Sequence, residues 1–331
     1  STFRFLLPVA AALCERARFT GGGRLPERPV GELMRAMCAH GVSFSAERLP
    51  FSTAGRLTGG AFSLPGNISS QYLTGLLLAL PLLKRDSAIT LTTRLESAAY
   101  ADITLHALRR FGVRVDAGGG VYRISGGQAI ASPGELRVEG DWSNAAFFLA
   151  AGALGAPVTV TGLDLGSPQG DRTILDALSQ FGADVQATAE AITVSPAPLS
   201  GCTIDVGETP DLLPALAVLG ACAAGKTRLV NAARLRLKES DRLASVSAML
   251  RALGGTVAER PDALVITGGW LAGGTAESCR DHRIAMAAAV ASVRCERDVT
   301  ILGADAVKKS YPAFFADFNR LGGYADVAPP V

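Results

Sequence analysis

The chain has 331 residues, 48% hydrophobic and 19% charged, so it can bury one large or two medium cores, and two domains are the better expectation. Its 32 Lys and Arg against 30 Asp and Glu give a formal charge of +2. The near-neutral charge, together with the absence of a basic run or of interleaved basic and aromatic residues in the sequence, argues against a nucleic-acid-binding surface. Six scattered cysteines without a CxxC pair predict a reduced, cytoplasmic protein, and three histidines without metal-ligand spacing argue against a zinc site.

The first predicted element is the apolar segment Phe5–Cys14, FLLPVAAALC. Taken alone, it resembles the core of a secretory signal. No basic region precedes it, and similar Ala- and Leu-rich segments recur four more times downstream. A buried helix is therefore the better interpretation. Because no apolar run reaches the roughly 18 uninterrupted residues of a membrane span, we expect no membrane partner.

Five glycines recur in one context, at the end of a helical pattern and before a β-branched strand. They are Gly41, Gly112, Gly182, Gly254 and Gly322, spaced 68 to 72 residues apart. Glycine is favoured there because a left-handed residue can end a helix without a Cβ clash. The spacing predicts an α/β unit of about 70 residues that is repeated along the chain.

Each predicted unit contains a helix that is apolar nearly all round, a β-rich run, a one-sided amphipathic helix and further strands. The apolar helices are predicted at Ile68–Leu83, Ser143–Gly155, Pro210–Ala224 and Arg283–Val293, and the amphipathic ones include Asp171–Phe181 and Asp241–Leu253. After Gly112 the further strands are VYRISG and LRVEG. The first copy starts directly in its buried helix at Ser1, so we expect about thirty residues of that unit to be absent.

Polar loops before the apolar helices differ from copy to copy: GNISSQ, GDWSNA, GETPD and CRDHR. A solenoid scaffold is the alternative, but such arrays keep similar residues at equivalent positions. Repeated elements with unlike loops instead favour a site built on a repeated fold.

Two segments are dense in charge. In RLRLKESDRL (Arg234–Leu243) a helix starting near Lys238 would place Lys238 and Arg242 on one face with Glu239 close by. In CRDHRIAMA, Asp281 to Arg283 stand at the start of a buried helix, where free N–H groups favour anions. Taken alone, either segment could be an ordinary solvated or capped helix start.

KESDR, DHR and the KSYP segment that begins at Lys309 together resemble the enolpyruvyl transferase family, and within it the EPSP synthases. Further resembling segments are STFRFLLP, GGGRLPERP, GNISSQY, ESAAYADITL, VEGDWSNAAFFLAA, QGD and ETPDLLPALA, in order from Ser1 to about Gly323. The resemblance implies an inside-out α/β barrel fold of six units in two domains, with the substrate cleft between them. The expected domains are residues 1–137, incomplete at the front, and 138–331.

The resemblance also implies the reaction: the enolpyruvyl group of phosphoenolpyruvate passes to the 5-hydroxyl of shikimate 3-phosphate through a tetrahedral intermediate, and phosphate is released. It implies a monomer without metal or organic cofactor. The implied phosphoenolpyruvate ligands are Arg24, Gln71, Arg242, Arg283 and Lys309, with Arg4 a weaker candidate. The implied shikimate 3-phosphate ligands are Ser69, Ser70, Gln71, Ser97, Tyr100, Asp211 and Lys238. The implied catalytic residues are Asp211 as base, Glu239 at the methyl proton, Lys309 and His282.

Two alternatives stay open at this point. The related transferase that acts on a UDP-sugar uses a cysteine on a mobile loop, and no cysteine here lies in a comparable Gly- and Arg-rich loop. A non-catalytic fragment with the same scaffold is the other alternative. Two departures from the family pattern bear on it: Arg234 replaces a different polar residue of many relatives, and the family's N-terminal Lys-Ser/Arg motif has no counterpart. We therefore expect little activity from this polypeptide alone.

Overall fold

The computed structural model describes residues 1–328. The α-helices are α1 Thr2–Leu13, α2 Gly31–Cys38, α3 Ser70–Ala79, α4 Ala99–Arg110, α5 Trp142–Leu154, α6 Ile174–Phe181, α7 Leu213–Cys222, α8 Arg242–Ala252, α9 His282–Ser292 and α10 Phe314–Arg320. The strands are β1 Arg16–Phe19, β2 Ser43–Phe44, β3 Phe51–Ala54, β4 Ala61–Leu64, β5 Ser87–Leu91, β6 Asp116–Gly118, β7 Val121–Ile124, β8 Val158–Thr161, β9 Asp184–Ala187, β10 Ala191–Ser195, β11 Thr203–Asp205, β12 Lys226–Val230, β13 Thr256–Glu259, β14 Leu264–Thr267, β15 Gly274–Glu277 and β16 Val299–Leu302.

The chain divides into two compact units, Ser1–Arg137 and a second that starts at Val138. Each has its own hydrophobic core. The core of the first unit lies between α1 and α3, where Leu7, Leu73 and Leu77 are fully buried. The core of the second lies among α5, α7 and α9, whose apolar residues are buried on nearly every face. The prediction that these helices are buried all round is confirmed, and it explains their Ala- and Leu-rich composition.

One strand and helix arrangement is repeated in the two units. In the first, the parallel strands β4 and β5 are joined through α3, and the sheet continues antiparallel in the order β4-β5-β7-β6. In the second, β11 and β12 are joined through α7, in the order β11-β12-β14-β13. The antiparallel sheets β1-β3-β2 and β8-β10-β9 and the parallel pair β15-β16 belong to the other copies. The predicted α/β unit is therefore present.

All five marker glycines have left-handed backbone, with φ between 83° and 92°. At each, the N–H of the following residue donates to the carbonyl four residues before the glycine, as in the Schellman motif. The five bonds are Val42 to Met37, Val113 to Leu108, Ala183 to Leu178, Gly255 to Leu250 and Gly323 to Phe318. The predicted role of these glycines is confirmed.

Two predicted elements are wrong. The segment LRVEG is not a strand, and its apolar residues Leu136 and Val138 are 37% and 83% exposed, so no buried face holds it in a sheet. The helix expected near Lys238 begins instead at Arg242. Lys238 is extended after a 3₁₀ helix, Ala233–Leu237, and the Asp241 side chain caps α8 by accepting the N–H of Ala244.

Within residues 1–328, no helix has both the length and the apolar character needed to cross a membrane.

Candidate active site

The start of each buried helix in the second unit, together with the segment before α8, carries the chemistry-bearing side chains. Ser143 lies in the first turn of α5, and Asp211 lies in the 3₁₀ turn Pro210–Leu212 that leads into α7. Asp281 is the N-cap of α9 and accepts the N–H of Arg283 at 3.1 Å. Ion pairs and hydrogen bonds join these positions into one cluster, although 140 residues separate Ser143 from Arg283.

Arg242 is the centre of this cluster and is fully buried. Its Nε donates to Asp281 Oδ2 at 2.9 Å, its Nη1 to Asp211 Oδ1 at 2.5 Å and its Nη2 to Glu239 Oε2 at 2.9 Å. Burial alone would lower the pKa of the guanidinium, but the carboxylates of Asp281, Asp211 and Glu239 raise it above its ordinary value. Arg242 is therefore a permanent cation that orients three carboxylates.

Asp211 contacts three cations: Arg242, Arg283 at 3.1 Å from its Oδ2, and Lys238 at 3.8 Å from its Oδ1. Burial favours the neutral acid, but Arg283, Lys238 and Arg242 hold the pKa of Asp211 well below its ordinary value. Burial in turn lowers the pKa of Lys238, with Asp211 opposing that shift. In the absence of bound anions, Asp211 is thus ionised and weakly basic.

Glu239 lies between two cations. Its Oε2 accepts from the buried Arg242, and its Oε1 lies 3.2 Å from Nζ of Lys309, whose side chain is 53% exposed. Lys309 ends the 3₁₀ helix Ala304–Lys309. One oxygen of Glu239 is therefore fixed inside the cluster, while the other meets a cation that is open to solvent.

His282 and Arg283 are bonded to each other. Arg283 Nη1 lies 2.7 Å from His282 Nε2, and since a guanidinium can only donate, Nε2 must accept and the ring proton lies on Nδ1. Burial and the Arg283 charge lower the pKa of His282 to about 4, so the ring is neutral at neutral pH. Among residues 1–328, the buried Nε of Arg283 has no hydrogen-bond partner. This donor can bind an incoming anion.

Sequence reasoning missed three residues of the cluster. Arg283 Nη2 donates to Ser143 Oγ at 3.0 Å, and the Ser143 hydroxyl donates to Asp171 Oδ2. Asp171 is 6% exposed, and burial together with the Asp211 charge raises its pKa to about 6. Asp281 was predicted only as part of a helix start, not as a partner of Arg242. Asp171 in QGD and Ser143 in VEGDWSN both lie in family-like segments, and that is the signal that could have found them.

In the first unit, the candidates around Gln71 are brought together. Ser69 is the N-cap of α3 and accepts the N–H of Gln71, and Ser70 is buried in the first turn. Gln71 Oε1 accepts from Arg4 Nη1 at 3.1 Å, and Arg4 Nη2 also donates to the carbonyl of Pro29 at 2.8 Å. Arg4, the weaker anion candidate, therefore orients this helix start.

The other first-unit candidates lie on separate segments. Arg24 precedes the 3₁₀ helix Leu25–Glu27, and its Nε lies 3.4 Å from Glu27 Oε2. Ser97 is buried with a left-handed φ of 56°, a conformation that non-glycine residues adopt rarely and that is often found at functional sites. Tyr100 lies in the first turn of α4, and its carbonyl accepts from Thr104.

Known proteins resemble this chain over nearly its whole length. The family model described as EPSP synthase (3-phosphoshikimate 1-carboxyvinyltransferase) matches residues 1–318. Proteins named 3-phosphoshikimate 1-carboxyvinyltransferase from Clostridium kluyveri and Clostridium novyi are 45% and 41% identical, over 98% of this chain and 77% and 76% of their own lengths. The EPSP synthase structure from Acinetobacter baumannii is 28% identical, with a TM-score of 0.79 over 96% of this chain and 76% of that one.

The enolpyruvyl transferase NikO from Streptomyces tendae is 20% identical with a TM-score of 0.79 over 97% of this chain, a likeness of fold alone. The enolpyruvyl transferase fold that the sequence predicted is thereby confirmed. With the family model spanning nearly the whole chain, this protein belongs to the EPSP synthase family.

Proposed function

We propose that this protein transfers the enolpyruvyl group of phosphoenolpyruvate to the 5-hydroxyl of shikimate 3-phosphate and releases phosphate. Family membership supports the reaction. The observation that supports the site is the second-unit cluster, in which Arg242, Arg283 and Lys238 surround the carboxylate of Asp211. Two anionic substrates need several cations close together, and this cluster supplies them.

Phosphoenolpyruvate binds to Arg283, Arg242 and Lys309 of the second unit, with Arg24 and Gln71 of the first. The Nε of Arg283 has no partner in the part of the chain that the structure describes, and this supports the assignment, because a buried guanidinium donor without a partner is costly unless a ligand satisfies it. Lys309 is half exposed and pairs with Glu239, so it can turn toward a phosphate.

Shikimate 3-phosphate binds to Ser69, Ser70, Gln71, Ser97 and Tyr100 of the first unit and to Lys238 and Asp211 of the second. The hydroxyls and N–H groups at the start of α3 suit a phosphate, since a helix N-terminus favours anions. Lys238 is close enough to Asp211 to hold the same substrate molecule.

Asp211 removes the proton of the 5-hydroxyl, whose oxygen forms a bond to C2 of phosphoenolpyruvate while the methylene carbon C3 takes a proton. Phosphate then leaves C2, and the new methyl group returns a proton. In the empty site Asp211 is a weak base, because three cations lower its pKa. Bound anions share those cations and raise that pKa toward the working range. The substrates themselves thus make Asp211 basic.

Glu239 gives and retrieves the methyl proton with Lys309 beside it. His282 was expected among the catalytic residues, but a neutral ring that accepts from Arg283 favours a positioning role. We also propose that the protein acts as a monomer in the cytoplasm. Its six free cysteines fit a reducing compartment.

The test is phosphate release from phosphoenolpyruvate with shikimate 3-phosphate or a UDP-N-acetyl sugar as acceptor. We expect turnover with the first acceptor only, at the low rate expected of this polypeptide alone, and we expect Arg283→Ala to lower kcat/KM by a further factor of about 10² or more, as loss of one transition-state donor does. Arg320→Ala, which removes an exposed pair with Asp317, is the control and should leave turnover unchanged. Turnover with the sugar, or full activity of Arg283→Ala, would contradict the proposal.

A further inference from the structure

The Arg283 guanidinium is held by a chain of two hydrogen bonds that the proposed chemistry does not use. Its Nη2 donates to Ser143 Oγ at 3.0 Å, and the Ser143 hydroxyl donates its single proton to Asp171 Oδ2. The same Nη2 lies 3.1 Å from Asp211 Oδ2. Arg283 Nη2 therefore has two partners: the carboxylate of Asp211, which takes part in the reaction, and the hydroxyl of Ser143, which does not.

We propose that Asp171 is a positioning residue, acting through Ser143 to keep the Arg283 guanidinium in its anion-binding orientation. This inference rests on the proposed function, because Arg283 is there a ligand of phosphoenolpyruvate. Asp171 lies in the 3₁₀ helix Gly170–Thr173, ahead of α6, and its carboxylate reaches the first turn of α5.

The direction of the Ser143 hydroxyl proton determines whether Ser143 can accept a hydrogen bond from Arg283. A serine hydroxyl has one proton and two lone pairs, so when the proton points to Asp171, a lone pair faces Arg283. An asparagine at this position is a weaker, neutral acceptor and can instead turn its NH2 donor toward the hydroxyl, so the Ser143 proton is no longer held away from Arg283. The charged groups around Asp171 are Asp211, Asp141 and Arg283. Two of these three are carboxylates, so the position is an unfavourable one for a further acid with only a structural purpose.

The hydrogen bonds from Arg283 to Ser143 and from Ser143 to Asp171 contribute most to the orientation of Arg283 when Asp211 changes charge. Once Asp211 takes the proton of the substrate hydroxyl, its ion pair with Arg283 weakens, because a neutral acid attracts a cation far less. Ser143 stays in place and keeps Arg283 Nη2 bonded. The Nη1 bond to His282 then also stays in place, and the Nε, which has no partner among the described residues, remains available to the bound anion.

The experiment compares Ser143→Ala, Asp171→Asn and the double variant with the unaltered protein. Calorimetry measures the Kd of phosphoenolpyruvate in the presence of the 5-deoxy analogue of shikimate 3-phosphate, which lacks the reacting hydroxyl and so cannot turn over, and separately the Kd of shikimate 3-phosphate alone. We expect each single variant to weaken phosphoenolpyruvate by about tenfold, the scale of a hydrogen bond to a charged group. The affinity for shikimate 3-phosphate should change less than about threefold. The double variant should be no weaker than Ser143→Ala, since both changes break one chain.

A structural role gives a different result. If Asp171 only supports the fold, Asp171→Asn lowers the melting temperature and weakens both ligands together. The positioning role predicts an unchanged or higher melting temperature at neutral pH, because a buried charge has been removed. Asp176→Asn, an exposed acid on α6, is the matched control and should match the unaltered protein throughout.

Unchanged phosphoenolpyruvate affinity in both single variants would overturn the inference, as would fully multiplicative effects in the double variant. A failure of turnover in the unaltered protein contradicts the proposed function alone, because the ratio of Kd values still decides whether Asp171 acts through Ser143.

Discussion

The starts of α3 and α9 use the same position of the repeated unit for different chemistry. At α3 the N-cap is the hydroxyl of Ser69, and the neighbouring Arg4 donates to two neutral oxygens, those of Pro29 and Gln71. At α9 the N-cap is the carboxylate of Asp281, which binds the buried Arg242. The fold sets where a helix begins, and the loop residues decide whether that place carries charge.

This difference predicts a division of roles. The α3 start resembles a fixed receptor with hydroxyl and N–H donors, which suits a bound phosphate. The α9 start belongs to a network of acids and cations whose pKa values depend on one another, which suits proton transfer. Four experiments can break or sharpen this comparison.

The largest expected effect is on catalysis. Asp211→Asn should lower kcat by about 10²- to 10⁴-fold, as removal of a general base does, whereas Ser69→Ala should mainly raise the KM of shikimate 3-phosphate, by about tenfold. Steady-state kinetics with both substrates measures the split. If Ser69→Ala lowers kcat as much as Asp211→Asn, the division of roles between the two helix starts is wrong.

The next largest expected difference is in the stability of the two units. Arg242→Met leaves three carboxylates without their shared cation and should destabilise the second unit by about 3–5 kcal/mol. Arg4→Met removes bonds to neutral oxygens and should cost about 1–3 kcal/mol in the first unit. Urea unfolding followed by hydrogen exchange in each unit checks both values. Equal losses would show that charge pairing does not distinguish the two sites.

The pH dependence of stability follows from His282. Its folded pKa of about 4 lies below the 6.5 of an ordinary histidine, so between these values the unfolded chain binds the proton first. The stabilisation is present above pH 6.5 and is lost as pH falls toward 4, on the order of 3 kcal/mol at most.

His282→Gln should therefore show a shallower loss of melting temperature between pH 6.5 and 4. Asp171 acts in the opposite sense, since its pKa is raised to about 6 and its contribution is lost as pH rises from about 4 through 6. The melting temperature of Asp171→Asn should therefore increase relative to that of the unaltered protein as pH rises from about 4 through 6. An Asp171→Asn gain that shrinks as pH rises, or a His282→Gln loss as steep as that of the unaltered protein, would contradict the sign of the corresponding shift.

The smallest effect should be equal in the two units. Gly112→Ala and Gly182→Ala place a Cβ at left-handed φ values of 83° and 91°, with the nearest atoms at 3.8 and 3.4 Å. The cost is then mostly the backbone conformation, about 1–2 kcal/mol at either position. Thermal unfolding of the two variants measures it. A cost confined to one unit would mean that the repeated helix ends are not equivalent.

The sequence predicted most of the local structure. Glycine spacing predicted the helix ends, and all-round apolar composition predicted the buried helices, because both depend on neighbours along the chain. The helix start near Lys238 was misplaced, since spacing alone did not show that Asp241 would act as the cap.

The cluster itself could be predicted only in part. Arg242 reaches Asp211 across 31 residues and Asp281 across 39, and the Ser143 bond to Arg283 spans 140. No local periodicity in the sequence predicts pairings over such separations. The family resemblance supplied roles for Arg242 and Asp211, but none for Asp171 or Ser143. Burial, which decides that Arg242 needs three carboxylates, also becomes visible only once the helices are packed.

The most direct measurement is a calorimetric titration of phosphoenolpyruvate into the unaltered protein and into Arg283→Ala, with the unreactive 5-deoxy analogue of shikimate 3-phosphate present. An anion site in the second-unit cluster predicts binding by the first and at least about a hundredfold loss in the second. Equal affinities in the two proteins would place the anion elsewhere and contradict the account.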